Sequence, residues 1–198
     1  MIKIHLIRHG KTEGNLYKRY IGITDESLCT EGIRKLKDKI YEPIDNVYSS
    51  PLLRCIETCN IIYPLHKEKI IIVNDLKECN FGDFENKNYL ELQDNVDYQN
   101  WVNSNGLLPF PNGEDIKNFK LRCISAFDYI ISDLISNNYL TAAIVCHGGT
   151  IMSILEKYSL PKKDYYSYMI DNGCGYNIII DKVNWSKGNK YLNIISTL

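Results

Sequence analysis

The sequence predicts a three-layer α/β sandwich with a mostly parallel central sheet, and three observations support this class. Compact apolar runs of strand length alternate with segments whose apolar residues recur at helical spacing, which is the pattern of successive βαβ units. Two of the apolar runs end directly before a His-Gly step, as buried strands do where they enter a loop. No internal repeat and no long Pro-, Gly- or Ser-rich linker divides the 198 residues, so a single domain is expected over 1–198.

The first half of the chain is expected to contain three strands and two helices. Thr30 can cap a helix over 30–41, in which apolar residues up to Ile40 recur at helical spacing. Ser50 and Pro51 predict the start of a second helix, because serine caps helices and proline at the first helical position sacrifices no hydrogen bond. Apolar or β-branched runs predict strands at 2–8, 45–48 and 70–73.

The second half of the chain predicts an insertion, two helices and three further strands. The segment 81–111 lacks clear periodicity and holds two short helical pieces, so we expect it to form a lid over one end of the sheet. A long amphipathic helix is expected over 114–135, and a continuously apolar strand over 141–146 precedes another helix. The runs 176–183 and 191–196 flank a Ser-Lys-Gly-Asn turn and predict a terminal hairpin or two adjacent edge strands.

Composition limits the kinds of molecule that the protein is expected to bind. The chain has 23 Lys and Arg residues against 24 Asp and Glu residues, and this net charge of −1 offers no basic field for nucleic acid or anionic lipid. No segment reads as a membrane span, and the charged N-terminal run is unlike a signal peptide. Seven scattered cysteines indicate neither a zinc framework nor a disulfide scaffold. We therefore expect a cytoplasmic protein without a nucleic-acid or membrane partner, and a homodimer is left open.

Two histidines occupy equivalent positions in the predicted sheet. His9 and His147 each follow a predicted central strand, and each is followed by glycine. If those strands are neighbours, both imidazoles converge at the carboxyl edge of the sheet, where α/β proteins form their sites. Arg54 early in the second helix and Glu78 just after the third strand belong to the same rim. Together with Arg8, one site can hold two histidines, two arginines and a carboxylate.

This set of residues suits phosphoryl transfer. A phosphate monoester is a dianion, and its transfer needs positioning and electrostatic stabilisation, which the guanidinium groups of Arg8 and Arg54 can supply. Neutral His9 can attack phosphorus, and adjacent guanidinium charges would lower its pKa and keep it neutral. Glu78 is the candidate acid for the leaving oxygen, for which partial burial would have to raise its pKa.

Six blocks of the sequence resemble, in the same order, the motifs of the histidine phosphatase (phosphoglycerate mutase-like) superfamily. The first, Arg-His-Gly-Lys-Thr-Glu-Gly-Asn at 8–15, resembles the family signature RHGxTxxN. The other blocks are 22–25 with Leu28 and Gly32, 49–54 with Thr58, 76–82, 111–114 and 145–149. The resemblance extends from residue 2 to about residue 155 and implies a phosphoglycerate mutase-like fold.

The resemblance also implies a role for each matching residue. His9 would be the phosphorylated nucleophile and Glu78 the proton donor, while Arg8, Arg54 and His147 would bind the phosphate. Further substrate-binding positions implied by the motifs are Thr12, Asn15, Gly22, Thr24 and Gly148. Such enzymes need neither a metal nor another cofactor, and their partner is a small-molecule phosphate ester.

The family contains mutases and phosphatases, and charge favours the phosphatases. Between 79 and 121 the chain has three basic residues against seven acidic ones. A segment with this net charge of −4 would repel a bisphosphorylated sugar acid, which is itself strongly anionic. The size and the block 78–82 resemble the alpha-ribazole phosphatase branch of cobalamin synthesis. That branch usually has Trp-Glu-Gly where this chain has Phe84-Glu85-Asn86.

The sequence leaves two alternatives open and disfavours a third. A phosphoglycerate mutase remains open, as does a binding module that holds a phosphorylated ligand without turning it over. A cysteine phosphatase is disfavoured, because such enzymes need an arginine six residues after the cysteine and Met152 stands there after Cys146.

Overall fold

A seven-stranded sheet forms the centre of the computed structural model, which describes residues 1–198. Its strands are β1 (Ile2–Arg8), β2 (Asn46–Ser49), β3 (Ile71–Ile72), β4 (Thr141–Cys146), β5 (Ser159–Leu160), β6 (Gly175–Ile180) and β7 (Leu192–Thr197). They are arranged in the order β3-β2-β4-β1-β6-β7-β5. Four of the six neighbouring pairs run parallel, and β6 is antiparallel to both β1 and β7. The predicted mostly parallel α/β sheet is confirmed.

Helices lie on both faces of this sheet. The α-helices are α1 (Glu13–Leu16), α2 (Thr30–Lys37), α3 (Leu53–Ile62), α4 (Val96–Asn103), α5 (Ile116–Ser136), α6 (Gly148–Tyr158) and α7 (Lys182–Ser186). Short 3₁₀ helices occupy Pro64–Lys69, Asn74–Leu76, Gly82–Phe84 and Tyr165–Tyr168. No helix combines the length and the apolar character that crossing a bilayer would require.

The central strands are largely apolar because both of their faces are covered. In β1, Ile4 and Leu6 belong to a cluster of 25 buried residues that includes side chains of α5 and α6. Ile7 points the other way, into a cluster of 11 that includes residues of α2 and α3. Successive residues of a strand point to opposite faces, so a strand buried on both sides needs a continuous apolar run.

Register places the carboxyl ends of β1 and β4 side by side. The two strands pair in parallel, with Arg8 opposite Cys146 at the last position of each. His9 and His147 therefore leave the sheet at the same level, on adjacent strands. The sequence expectation that these two strands are neighbours is confirmed.

The predicted helix over 30–41 begins at the expected residue, Thr30, but its predicted cap and its predicted end are wrong. Helix α2 ends at Lys37, and its N-cap is Cys29, whose Sγ accepts a hydrogen bond from the Gly32 amide. The pattern that extended the prediction included Ile40, but this side chain is fully exposed and contributes nothing to the core. One apolar residue on the solvent side was enough to lengthen the apparent amphipathic face.

The predicted cap of the second helix is also wrong. Helix α3 begins at Leu53, three residues after Ser50, and Leu52 at the N-cap position makes no side-chain hydrogen bond. Asp25 supplies the cap from a distant loop, because its Oδ1 accepts from the Leu53 amide at 2.7 Å. The hydroxyl of Ser50 is thereby available for a histidine at the rim of the sheet.

Smaller differences concern the remaining elements. The long helix begins at Ile116, with Asp115 as its N-cap, and β3 is reduced to Ile71–Ile72. Strands β6 and β7 are antiparallel neighbours, as predicted. Their connection is longer than the expected turn, since it contains α7, which Asp181 caps.

The segment 81–111 has a small apolar core of its own. It contains the 3₁₀ helix Gly82–Phe84 and α4, and it contributes Phe84, Tyr98 and Phe110 to a cluster of seven buried residues. Phe119 of α5 belongs to the same cluster and connects it to the body of the molecule. That this segment acts as a lid stays a prediction.

Candidate active site

His9 and His147 meet at the rim of the sheet. Both side chains are buried, and their rings lie edge to face with centroids 5.2 Å apart. The register of β1 and β4 produces this approach, because each histidine is the first residue after its strand. The structure therefore brings together the two histidines that the sequence singled out.

The environment of His9 leaves one ring nitrogen free to react. Nδ1 lies 2.7 Å from the carbonyl oxygen of Gly10, which can only accept, so Nδ1 carries the proton and Nε2 has the lone pair. Burial lowers the pKa of His9 well below the usual value of histidine, and the positive charges of Arg54 and Arg8 lower it further. A neutral imidazole with an unprotonated Nε2 is the state that a nucleophile requires.

His147 contacts Ser50, which the sequence pattern predicted to be a helix cap. Its Nε2 lies 2.8 Å from the Oγ atom of Ser50, and Cys55 Sγ is 3.5 Å from the same nitrogen. Burial lowers the pKa of His147 well below its usual value, and Arg54 and His9 add to this effect. The Ser-Pro pattern resembled a helix start, so the capping interpretation concealed the contact between Ser50 and His147.

Arg54 is completely buried and is held by backbone carbonyls. Its Nη1 donates to Thr24 O at 2.7 Å, and its Nη2 donates to Gly22 O at 2.7 Å and to Ile21 O at 3.4 Å. Only glycine fits at position 22, since a Cβ there would lie 1.9 Å from the carbonyl oxygen of Cys79. Gly22 and Thr24 were predicted to bind substrate; in the structure their carbonyls hold Arg54.

Both arginines present a buried N–H group without a partner. Nε of Arg54 and Nε of Arg8 make no hydrogen bond, although Arg8 Nη1 donates to Ile170 O at 2.6 Å. A buried donor without an acceptor is costly, so an anion that accepts from both groups would be stabilised here. Arg8 also lies beside Gly148, where a Cβ would be 3.5 Å from its Cζ. Two unpaired cationic donors thus accompany the two imidazoles, as an oxyanion site requires.

Glu78 is positioned at the start of α6. Its Oε2 accepts from the Gly149 amide and its Oε1 from the Cys79 amide, both at 3.0 Å. Burial raises the pKa of Glu78, against the opposing effect of these two amides and of Arg8 and Arg54. Glycine at position 149 leaves room for this carboxylate, since a Cβ there would lie 2.5 Å from Glu78 Oε1. A carboxyl group with a raised pKa beside an oxyanion site can act as a general acid.

The loop after His9 is fixed by a small polar network. The side chain of Thr12 is fully buried and caps α1 in a reciprocal pair with Asn15. Asn172 donates from Nδ2 to Asn15 Oδ1 at 3.0 Å and approaches the carbonyl oxygen of His9. No motif or spacing distinguished Asn172 in the sequence. Thr12 therefore has a structural contact of its own, and its predicted contact with substrate stays a prediction.

A cavity of about 450 Å³ opens beside these groups. Four of its lining residues belong to the rim, namely Arg8, Glu78, Gly148 and Gly149. Aromatic and apolar side chains form much of its wall: Tyr20, Phe81, Trp101, Leu107, Phe110, Ile116, Phe119, Met152, Tyr165, Tyr166 and Met169.

Two of the charged residues in the wall neutralise each other. Lys120 pairs with Glu156 at 2.6 Å, and its Nζ lies 4.2 Å from the centroid of the Tyr165 ring. Tyr165 and Tyr166 belong to a 3₁₀ helix in a region without periodicity, so the sequence offered no signal for this wall. Within residues 1–198, no three His, Cys, Asp or Glu side chains are grouped closely enough to hold a metal ion.

Comparison with known proteins identifies relatives along most of the chain. The family model described as histidine phosphatase superfamily (branch 1) matches residues 4–189. The chain is 25% identical over 188 residues to the adenosylcobalamin/alpha-ribazole phosphatase of Escherichia coli, with 91% of each protein covered. It is 28% identical over 168 residues to the 2,3-bisphosphoglycerate-dependent phosphoglycerate mutase of Rhizobium etli, with 78% of each covered.

A solved structure has the same fold. The phosphoserine phosphatase of Entamoeba histolytica, in complex with 3-phosphoglyceric acid, superposes with a TM-score of 0.76 at 24% identity and covers 100% of this chain and 96% of its own. The family model spans almost the whole length, and relatives in it are named phosphatases. The chain therefore belongs to branch 1 of the histidine phosphatase superfamily and is a phosphoric monoester hydrolase.

Proposed function

We propose that the protein hydrolyses a phosphate monoester through a phosphohistidine intermediate on His9. The observation that carries this proposal is the pair of unpaired, buried Nε–H groups on Arg8 and Arg54, whose positive charges both act on a buried, neutral His9. These donors are suited to the oxygens of a phosphoryl group, and the free Nε2 of His9 is suited to attack its phosphorus. His147, also neutral and buried, would complete the phosphate pocket.

The reaction would proceed in two displacements. First, Nε2 of His9 forms a bond to phosphorus while the bond from phosphorus to the ester oxygen breaks, and Glu78 transfers its proton to that oxygen. The alcohol then leaves. In the second displacement Glu78, now ionised, takes a proton from water, whose oxygen attacks phosphorus and releases inorganic phosphate and neutral His9. The same carboxyl group serves as acid and then as base, which its raised pKa supports.

We propose alpha-ribazole 5′-phosphate as the substrate class to test first. The largely apolar, aromatic cavity beside Glu78 suits an alcohol that carries an aromatic ring. The Escherichia coli relative, which is named an adenosylcobalamin/alpha-ribazole phosphatase, supports the same choice.

Where the alpha-ribazole phosphatase branch usually has Trp-Glu-Gly, this chain has Phe84-Glu85-Asn86, and the two residues that differ lie outside the cavity. Phe84 is fully buried in the small core of the 81–111 segment and does not line the cavity. Asn86 adopts a left-handed backbone with φ of 56°, the conformation that glycine adopts readily and that asparagine tolerates better than most residues. The altered tripeptide is therefore compatible with the proposed substrate.

The test is release of inorganic phosphate from a panel of esters without added metal. The panel contains alpha-ribazole 5′-phosphate, 3-phosphoglycerate with its bisphosphate, sugar phosphates and nucleotides. We expect the ribazole ester to be preferred and His9→Ala to lower turnover by on the order of 10³-fold or more. His66→Ala is the matched control, because His66 lies in the 3₁₀ helix Pro64–Lys69 and does not line the cavity.

The outcomes separate the parts of the proposal. Rapid quenching of the wild type in alkaline denaturant should trap an acid-labile, base-stable phosphoryl group that His9→Ala lacks. Weak, unselective hydrolysis would remove the ribazole assignment and retain the mechanism. Isomerisation of phosphoglycerate without release of phosphate would identify a mutase and contradict the proposed hydrolysis.

A further inference from the structure

The carboxylate of Glu85 is surrounded by donors from a neighbouring loop. Its Oε1 accepts three hydrogen bonds, from the Gly22 amide, the Thr24 amide and the Thr24 hydroxyl, each at 2.8 Å. Its Oε2 accepts from the Phe81 amide at 3.2 Å. Because both oxygens are occupied by backbone and hydroxyl donors, Glu85 is a fixed acceptor and not a second candidate for the acid role of Glu78.

The same loop turns its carbonyl groups toward Arg54. The carbonyl oxygens of Gly22 and Thr24 accept from the two Nη atoms of Arg54 at 2.7 Å, and the Ile21 carbonyl adds a longer contact. The peptide groups of the loop therefore lie between a carboxylate and a guanidinium, with N–H groups facing the negative charge and C=O groups facing the positive one. Each charge stabilises the loop conformation that the other one needs.

We infer that Glu85 is a positioning residue for Arg54. The guanidinium group is planar, so fixing Nη1 and Nη2 against the loop also fixes the direction of the unpaired Nε–H. Through Gly22 and Thr24, Glu85 holds that donor where a phosphoryl oxygen binds. The inference rests on the proposed function, since the direction of this N–H matters only if Arg54 contacts a phosphoryl group.

This arrangement also connects phosphate binding to the 81–111 segment. Glu85 follows the 3₁₀ helix Gly82–Phe84, and Phe84 anchors that helix in the small aromatic core. The segment thus supplies more than the wall of the cavity, because it also carries the carboxylate that organises the loop around Arg54.

A double-mutant cycle tests the inference. Glu85→Ala should lower kcat/KM for p-nitrophenyl phosphate by about 10- to 100-fold, the scale of loss when a group at the reacting centre is misplaced by up to an ångström. It should also weaken the binding of inorganic phosphate, measured by calorimetry. In an Arg54→Lys background, which lacks the planar guanidinium group, Glu85→Ala should cause little further loss of either quantity.

Conservative variants and a control complete the design. Glu85→Gln keeps an acceptor oxygen for Gly22 and Thr24 and should recover most of the activity. Thr24→Val removes only the hydroxyl contact, so its loss should be smaller than that of Glu85→Ala, and it keeps the test informative if Glu85→Ala does not fold. Asp83→Ala removes an exposed carboxylate from the same 3₁₀ helix and should leave both quantities unchanged.

Equal losses from Glu85→Ala in the two backgrounds, or unchanged phosphate affinity in folded Glu85→Ala, would overturn the inference. Failure of the proposed function is a separate result, since it would be seen in the wild type as absent or His9-independent turnover. Phosphate binding requires no turnover, so the cycle measured by calorimetry distinguishes the two.

Discussion

The rim of the sheet and the 81–111 segment contribute to one cavity in different ways. The rim draws its reactive groups from distant parts of the chain, and strand register decides that His9 and His147 meet. The 81–111 segment contributes Phe81, Trp101 and Phe110 to the aromatic wall from turns and the short helix α4, without a strand. The comparison indicates that strand register positions the chemistry, whereas a segment without strands shapes part of the space for the leaving group.

The two regions also differ in what stabilises them. The rim contains buried groups whose pKa values are displaced, lowered for His9 and raised for Glu78, and two arginine N–H groups without partners. These features cost folding free energy and serve the reaction. The 81–111 segment is stabilised by apolar burial and by edge-to-face contacts, such as those of Phe84 with Tyr98 and Phe110.

The largest expected effect concerns Glu78 at the rim. Glu78→Gln keeps the size of the side chain but cannot donate a carboxyl proton, so hydrolysis of an alkyl phosphate should fall by about 10²- to 10⁴-fold. The kcat/KM for p-nitrophenyl phosphate should fall far less, because its leaving group departs without a proton. Since kcat/KM reports only the first displacement, it excludes the later role of Glu78 as base toward water. Steady-state kinetics with both esters measures this ratio, and an equal loss of kcat/KM for both would contradict the acid role.

The dependence of activity on pH tests the same assignment of Glu78 as the acid. Glu78 has a raised pKa and must be protonated to act as acid, so alkyl ester hydrolysis should fall as pH rises through that pKa. His9 has a lowered pKa and must be neutral, so activity should be retained as pH falls until the pKa of His9 is reached. The alkaline limb should disappear in Glu78→Gln and the acid limb should remain. An alkaline limb that persists in Glu78→Gln would assign it to another group.

The contrast between the regions also explains what the sequence could predict. The strands before His9 and His147 are buried on both faces, so their apolar runs identified them, and the parallel topology placed the histidines at one edge. The motif assigned Arg54 to the site. Its partners are backbone carbonyls, however, and no residue type encodes a carbonyl, so the contact between Arg54 and the loop of Gly22 and Thr24 could not be predicted.

Other features had no signal or a misleading one. Ser50 fitted the pattern of a helix cap, and only its distance to His147 shows its contact. Asn172 reaches the site from a turn and Tyr165 from a 3₁₀ helix, both in stretches whose sequence has no periodicity. The exposed Ile40 extended a helical pattern past the real end of α2. Such errors arise where long-range contacts decide the role of a residue, because local pattern reports only local preference.

A matched pair of core substitutions tests whether the 81–111 segment is a separate unit. Phe127→Ala empties a fully buried site in the main core and should lower the free energy of unfolding by about 3–5 kcal/mol, measured by urea denaturation. Phe84→Ala empties an equally buried site in the small core. It should cost less global stability but should accelerate hydrogen exchange selectively within 81–111. Equal global losses without local exchange would show that the segment and the sheet unfold together.

The smallest expected effect concerns the wall of the cavity. Tyr166 lines the cavity with about half of its surface exposed, so Tyr166→Ala should remove only a partial stacking contact. We expect KM to rise for an ester with an aromatic ring by the equivalent of about 0.5–1.5 kcal/mol, and not for β-glycerophosphate. Tyr129→Ala is the control, because Tyr129 is similarly exposed on α5 and does not line the cavity. A rise for both esters would place Tyr166 in phosphate binding, and the division between a chemical rim and a selective wall would then fail at this residue.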